Sequence, residues 1–153
     1  MSADLAIREV HDRRGLGQLL DLPMALYRGR PNWVPPLRRA QAKMLACKTA
    51  FFDRAEMALF LAERGPRAVG RIAAIHNRAH NDCHKDRVGF FGFFECDIHD
   101  AAAAAGLFEH ARRWLGDRGL TSVRGPVNPS MNAECGLLID GFDHPPMVLM
   151  PYN

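Results

Sequence analysis

The stretch RVGFFGFFECD, residues 87–97, decides how the chain must fold. Alternation along an extended strand sends Phe91 and Phe93 to one face and Phe90 and Phe94 to the other. A strand apolar on both faces lies inside a sheet, with helices covering each side. Gly92, in its middle, marks a bulge or the close approach of another backbone. Just upstream, EMALFLAERGPRAVGRIAAIH (56–76) reads as two strands folded about Gly65-Pro66. The centre of the domain is therefore a run of antiparallel strands.

Outward from that centre the period changes. In HDAAAAAGLFEHARRWLGDRGL (99–120), Leu107, Phe108, Ala111, Trp114 and Leu115 form one apolar stripe, with Glu109, Arg112 and Arg113 off it. Asp100 is the expected N-cap and Gly116 or Gly119 the stop. LTSVRGPV (120–127) follows as a further strand, and the tail is irregular apart from an apolar knot at 136–139. Towards the N-terminus, DLAIREV (4–10) reads as a first strand. Leu16, Leu19, Leu20 and Met24 then recur at helical spacing behind an N-cap at Asp12, and Pro23 is expected to end or kink that helix. A proline-rich connector around Trp33 leads to a second helix through Leu37, Met44 and Leu45. The fold class is α/β (α+β), in one domain over 1–153. It divides into an N-terminal strand and helical arm (1–50), a central sheet with the main helix (56–127), and the tail (128–153).

Composition narrows the function. A chain of 153 residues, 48% hydrophobic and 24% charged, fits one core. It has no apolar run of membrane-spanning length, and its N-terminus carries charge where a secretion signal would be apolar. A cytoplasmic protein with no membrane partner is expected. The net charge is +3, and among 20 basic residues only Lys43, Lys48 and Lys85 are lysines. They form no block, so no nucleic-acid partner is expected. Cys47, Cys83, Cys96 and Cys135 make no C-x-x-C pair and read as free thiols.

His76, His80 and His84 stand at four-residue steps, which on a helix drift by only about 40° each. Asn and Asp crowd the same segment, however, and favour turns. No glutamate completes an H-E-x-x-H motif. The segment reads as a polar connection with no metal, and Cys83 as a small buried thiol. Metal-dependent hydrolysis is the weakest functional reading.

The order of elements resembles the first two-thirds of the GNAT (Gcn5-related N-acyltransferase) fold, a mostly antiparallel sheet flanked by helices. Three phrases, LYRGRPNWVPPL, VGRIAAIHNRAHNDCHKDRVGFFGFFE and GPVNPSMNAECGLLIDGFDHPP, resemble a bacterial group of GNAT-like proteins. The resemblance implies transfer of an acyl group, such as acetyl, from acyl-CoA to an amine. Acyl-CoA would sit where the fourth and fifth strands splay apart, with strand-four amides polarising the thioester carbonyl. It places acyl-CoA contacts on Phe94, Cys96, Ile98, His99, Asp100, Ala101, Ala102 and Ala104. The family pattern R/Q-x-x-G-x-G/A aligns with His99–Ala104 and is met only at its last position. It gives Glu95 and Glu134 as the catalytic carboxylates, and Asn128 and Asn132 as substrate contacts. Asp100 would compete with a phosphate for the helix amides, so a non-catalytic GNAT-like binding module is the alternative. The family fold continues with another helix and hairpin, so this fold is expected to be incomplete at its C-terminus. Its open edge should then pair with a second copy, making a homo-oligomer.

Overall fold

The computed structural model describes residues 4–129, 133–145 and 147–150. Strands β1 (Leu5–Glu9), β2 (Ala55–Arg64), β3 (Arg67–Asn77), β4 (Val88–Cys96) and β5 (Ser122–Arg124) form one sheet in that spatial order. The first four pair antiparallel, and β5 runs parallel to β4. Helices α1 (Arg13–Leu26) and α2 (Arg38–Leu45) cover one face, and α4 (Ala101–Gly116) the other.

Strand parity builds both cores. Leu59 and Leu61 of β2, with Ala73 and Ile75 of β3, meet Leu19 and Leu20 of α1. Their neighbours Ala58, Phe60, Ala62, Ile72 and Ala74 meet Ala103, Leu107, Ala111 and Leu115 of α4. Each fully buried leucine or isoleucine contributes roughly 1.5–3 kcal/mol. Asp12 caps α1, its carboxylate accepting from the Gly15 amide at 2.6 Å.

Five expectations need correcting. Pro23 does not end α1, which runs on to Leu26. Proline deprives the Leu19 carbonyl of its helical donor, and the buried Arg71 guanidinium supplies another at 2.5 Å. The histidine segment is not a bare connection: Arg78–His84 forms a short helix, α3, capped by the Asn77 side chain on the His80 amide. Cys83 is exposed on it, not buried. The tail is not wholly irregular, because Val127–Asn128 (β6) pairs with Glu134–Cys135 (β7).

The remaining correction concerns the aromatic strand. The β3–β4 register slips between Arg71 and Ala73, opposite Phe93, whose φ is +49°. A bulge turns every later side chain to the opposite face. Phe90 and Phe93 therefore share the α1 core, while Phe91 and Phe94 pack on the α4 side. Gly92 permits the bulge, since a Cβ there would lie 1.8 Å from the Val127 carbonyl oxygen. Gly125 is equally confined, 2.4 Å from the Phe91 carbonyl oxygen by the same construction. The β4–β5 ladder ends at Phe90 and Arg124, but the chain after β5 stays against β4 as far as Gly92.

Candidate active site

The bulge decides where Glu95 goes. In an unbroken strand Glu95 would share a face with Phe91, against α4. Shifted by one residue, it lies directly across the ladder from Arg71 on the α1 face. Both are buried, at 9% and 2% exposure. Arg71 Nη2 stands 3.5 Å from Glu95 Oε1, and the Tyr27 hydroxyl donates to Oε2. Tyr27 is the C-cap of α1 and stacks on Trp33, with ring centroids 5.3 Å apart. Burial is the main influence on the Glu95 carboxyl and pushes its pKa up to about 7, against the pull of Arg71 and Tyr27. Such a group exchanges a proton readily near neutral pH, as a general base must.

Glu95 and Tyr27 open onto a cleft of about 1120 Å³ between α1, the start of α4 and the tail. One wall is Leu22, Ala25 and Leu26 of α1; another is Leu137, Leu138 and Phe142. Ile98, 81% exposed, lines the cleft with little cover. Of the expected acyl-CoA contacts, Phe94, Cys96, Ile98, His99, Asp100, Ala101 and Ala104 all line this cleft; Ala102 does not. The Cys96 thiol is pushed up to about 11 by burial first, then by Asp100 and Asp97, so it remains a protonated thiol.

The loop into α4 is clamped by arginines from the β2–β3 hairpin. Arg64 grips Asp100 with two bonds, at 2.5 and 2.8 Å, and Arg67 holds Asp97 at 2.8 Å. The Arg64 bonds, aided by the Ala103 amide, lower the Asp100 carboxyl to about 2. Asp100 is therefore the expected N-cap, but Arg64 balances its charge, which removes much of the objection to an anion nearby. Asp100 also occupies the amides of Ala103 and Ala104. Among the described residues, those of Ala101 and Ala102 have no protein acceptor.

Asn128 and Glu134 sit apart from the cleft lining. They bond each other at 3.1 Å across β6–β7, and Asn128 Oδ1 accepts from the Phe93 amide at 2.6 Å. Asn128 thus braces the bulge, and one of the strand-four amides, that of Phe93, is already taken. Glu134 still acts at a distance: its charge adds slightly to the burial that raises the Glu95 pKa and slightly offsets the burial that lowers that of Arg71. Asn132 lies outside the described residues. Arg71 and Tyr27 escaped the sequence reading. Arg71 carried a signal, a lone charge in the apolar run AVGRIAAI at the same parity as Ala73 and Ile75. Tyr27 carried none.

Among the described residues no cluster of three or more His, Cys, Asp or Glu could hold a metal. Instead His80 packs edge-on against Phe90, and His76 faces Glu56 at 3.3 Å. No described helix is long and apolar enough to cross a membrane.

No family model matches the chain. A bacterial ceramide synthase from Caulobacter vibrioides is 42% identical over 154 residues, covering 99% of this chain. The chain spans only 40% of that relative's length. A tandem GNAT protein from the clavulanic acid biosynthesis pathway superposes with a TM-score of 0.61 at 18% identity, over 78% of this chain and 35% of that one. An aminoglycoside N-acetyltransferase solved with CoA gives 0.56 at 19% identity, over 84% and 80%. The five-stranded, mostly antiparallel sheet with its flanking helices is that of the GNAT fold.

Proposed function

We propose that this chain, which carries the GNAT fold, is the base-bearing part of an acyl-CoA-dependent N-acyltransferase whose acceptor amine has a long alkyl chain. The observation that carries the reading is Glu95, a buried carboxyl turned by the bulge onto the cleft it shares with Tyr27. In the proposed reaction the amine nitrogen attacks the thioester carbonyl. A C–N bond forms, the C–S bond breaks, the ammonium proton passes to Glu95, and CoA leaves as thiolate. The acyl-CoA diphosphate would take the open amides of Ala101 and Ala102 at the start of α4.

Two things favour a long-chain acceptor over a polar one. Leu22, Ala25 and Leu26 of α1 and Leu137, Leu138 and Phe142 of the tail make the cleft walls largely apolar, with Gln18 and Asp21 as the polar exceptions on α1. The relative's name, bacterial ceramide synthase, points the same way, because a ceramide is the amide of a long-chain amino alcohol and a fatty acid. The open edge also favours a homo-oligomer. All three residues of the edge strand β5 are exposed, and sedimentation should find a species heavier than one chain.

The test is release of CoA thiol from palmitoyl-CoA or acetyl-CoA in the presence of sphinganine, with the amide product identified by mass. Turnover should favour palmitoyl-CoA and fall roughly 10²–10⁴-fold in Glu95→Gln. No turnover, together with no thermal shift on adding either thioester, would sink the reading in favour of the non-catalytic module.

A further inference from the structure

Tyr27 and Arg71 reach Glu95 from two different elements, and neither is accounted for by packing alone. Arg71, 2% exposed, is a costly residue to bury. It is held there by the Leu19 carbonyl that Pro23 releases, at 2.5 Å, with Glu95 Oε1 at 3.5 Å on its other side. Tyr27 stands one helical turn beyond Pro23, its amide bonded to the Pro23 carbonyl at 2.9 Å. Its hydroxyl closes on the second carboxyl oxygen, Oε2. The helix end, the proline and the arginine thus fix one carboxyl group at both oxygens. Only Tyr27 and Glu95 of this set line the cleft; Arg71 lies behind them.

We infer that Tyr27 is a positioning residue for Glu95, its hydroxyl holding Oε2 so that the carboxylate keeps one orientation towards the cleft while Arg71 anchors it from behind. The inference rests on the reading of Glu95 as the base. The charged and titratable groups that bear on Glu95 are Arg71 from β3, Tyr27 from the end of α1 and Glu134 from β7. A donor aimed at the ionised form favours that form. Tyr27 therefore keeps Glu95 able to accept a proton in a setting whose burial works against it.

The experiment is a pH titration of the Glu95 side-chain carboxyl carbon by NMR in the unmutated chain and in Tyr27→Phe. The variant keeps the ring that stacks on Trp33 and deletes only the hydroxyl. Its Glu95 midpoint should rise by about one pH unit, as loss of one hydrogen bond to the charged form predicts. An unmoved midpoint would overturn the inference. A second reading needs no variant: the Tyr27 Cζ resonance of the unmutated chain should follow the Glu95 midpoint, and a flat Tyr27 resonance would equally overturn it. Neither measurement needs turnover. A chain that fails to transfer acyl groups while Tyr27 and Glu95 titrate together therefore loses the enzymatic reading but keeps the pairing.

Discussion

Replacing Gly92 by alanine tests the joint on which the site depends. The added Cβ would lie 1.8 Å from the Val127 carbonyl oxygen, 2.8 Å from its carbonyl carbon and 2.9 Å from Asn128 Oδ1. Two of those atoms are backbone, so no rotamer change relieves the contact. Either β4 or the chain after β5 must retreat, and the Asn128 bond to the Phe93 amide goes with it. Overpacking of this kind costs about 1–3 kcal/mol even when side chains can yield. At about 2–4 °C per kcal/mol for a domain of this size, Gly92→Ala should unfold several degrees below the parent in a calorimetric scan. Gly17→Ala is the control. Gly17 lies inside α1 with nothing within 4 Å of a new Cβ, so alanine there should stabilise by about 0.5–1 kcal/mol. A Gly92→Ala transition at the parent temperature would refute the close approach and, with it, the placement of Glu95.

Arg71→Met leaves Glu95 buried without its counter-charge and the Leu19 carbonyl without a donor, at a cost of about 3–5 kcal/mol in a urea titration at pH 8. The loss should shrink at pH 5.5, where Glu95 is protonated. The sign follows from the Glu95 pKa, raised from its ordinary 4.5 to about 7 in the folded chain. Its contribution to stability is complete below the unfolded value and is lost as pH rises through the folded one. The parent's urea midpoint should accordingly fall between pH 5 and pH 8, and Glu95→Gln should flatten that dependence. Asp12→Ala removes the cap on the Gly15 amide and should cost about 1 kcal/mol by chemical denaturation. Ala25→Trp fills the α1 wall of the cleft. It should abolish the thermal shift produced by palmitoyl-CoA while the unliganded melting temperature stays near the parent's.

What the sequence disclosed and what it withheld divide along physical lines. Local signals were legible: Asp12 and Asp100 both cap the helices they precede, each side chain accepting from the amide three residues on. Gly65-Pro66 turns the β2–β3 hairpin, and of the expected stripe Leu107, Ala111 and Leu115 are buried, Trp114 is half-buried and Phe108 is exposed. Some errors arose where a distant residue overruled a local preference, and others where one local signal had two readings. Pro23 was expected to end or kink its helix; α1 continues through it, and Arg71, from a strand 48 positions on, pairs the carbonyl that proline orphans. Asn and Asp around His80 were read as turn formers, whereas Asn77 uses that same chemistry to cap a short helix.

The bulge is the sharpest case, because it governs function as well as packing. Period-two alternation is the only parity a sequence offers, and it set Glu95 beside Phe91 and Phe93. A bulge inserts one residue into that count, and a glycine marks where it can occur without requiring that it does. The decision is made by three contacts from elsewhere: the Val127 carbonyl against Gly92, the Asn128 side chain on the Phe93 amide, and Arg71 awaiting a carboxylate across the ladder. None is within thirty residues of Gly92 except Arg71, and its partner is chosen by register, not by proximity in the chain. A single residue of slip therefore moves Glu95 from the α4 face to the α1 face, where Tyr27 and the cleft are. The same slip separates a buried charge that would need its own counter-ion from a carboxyl held at two oxygens with a pKa near neutrality.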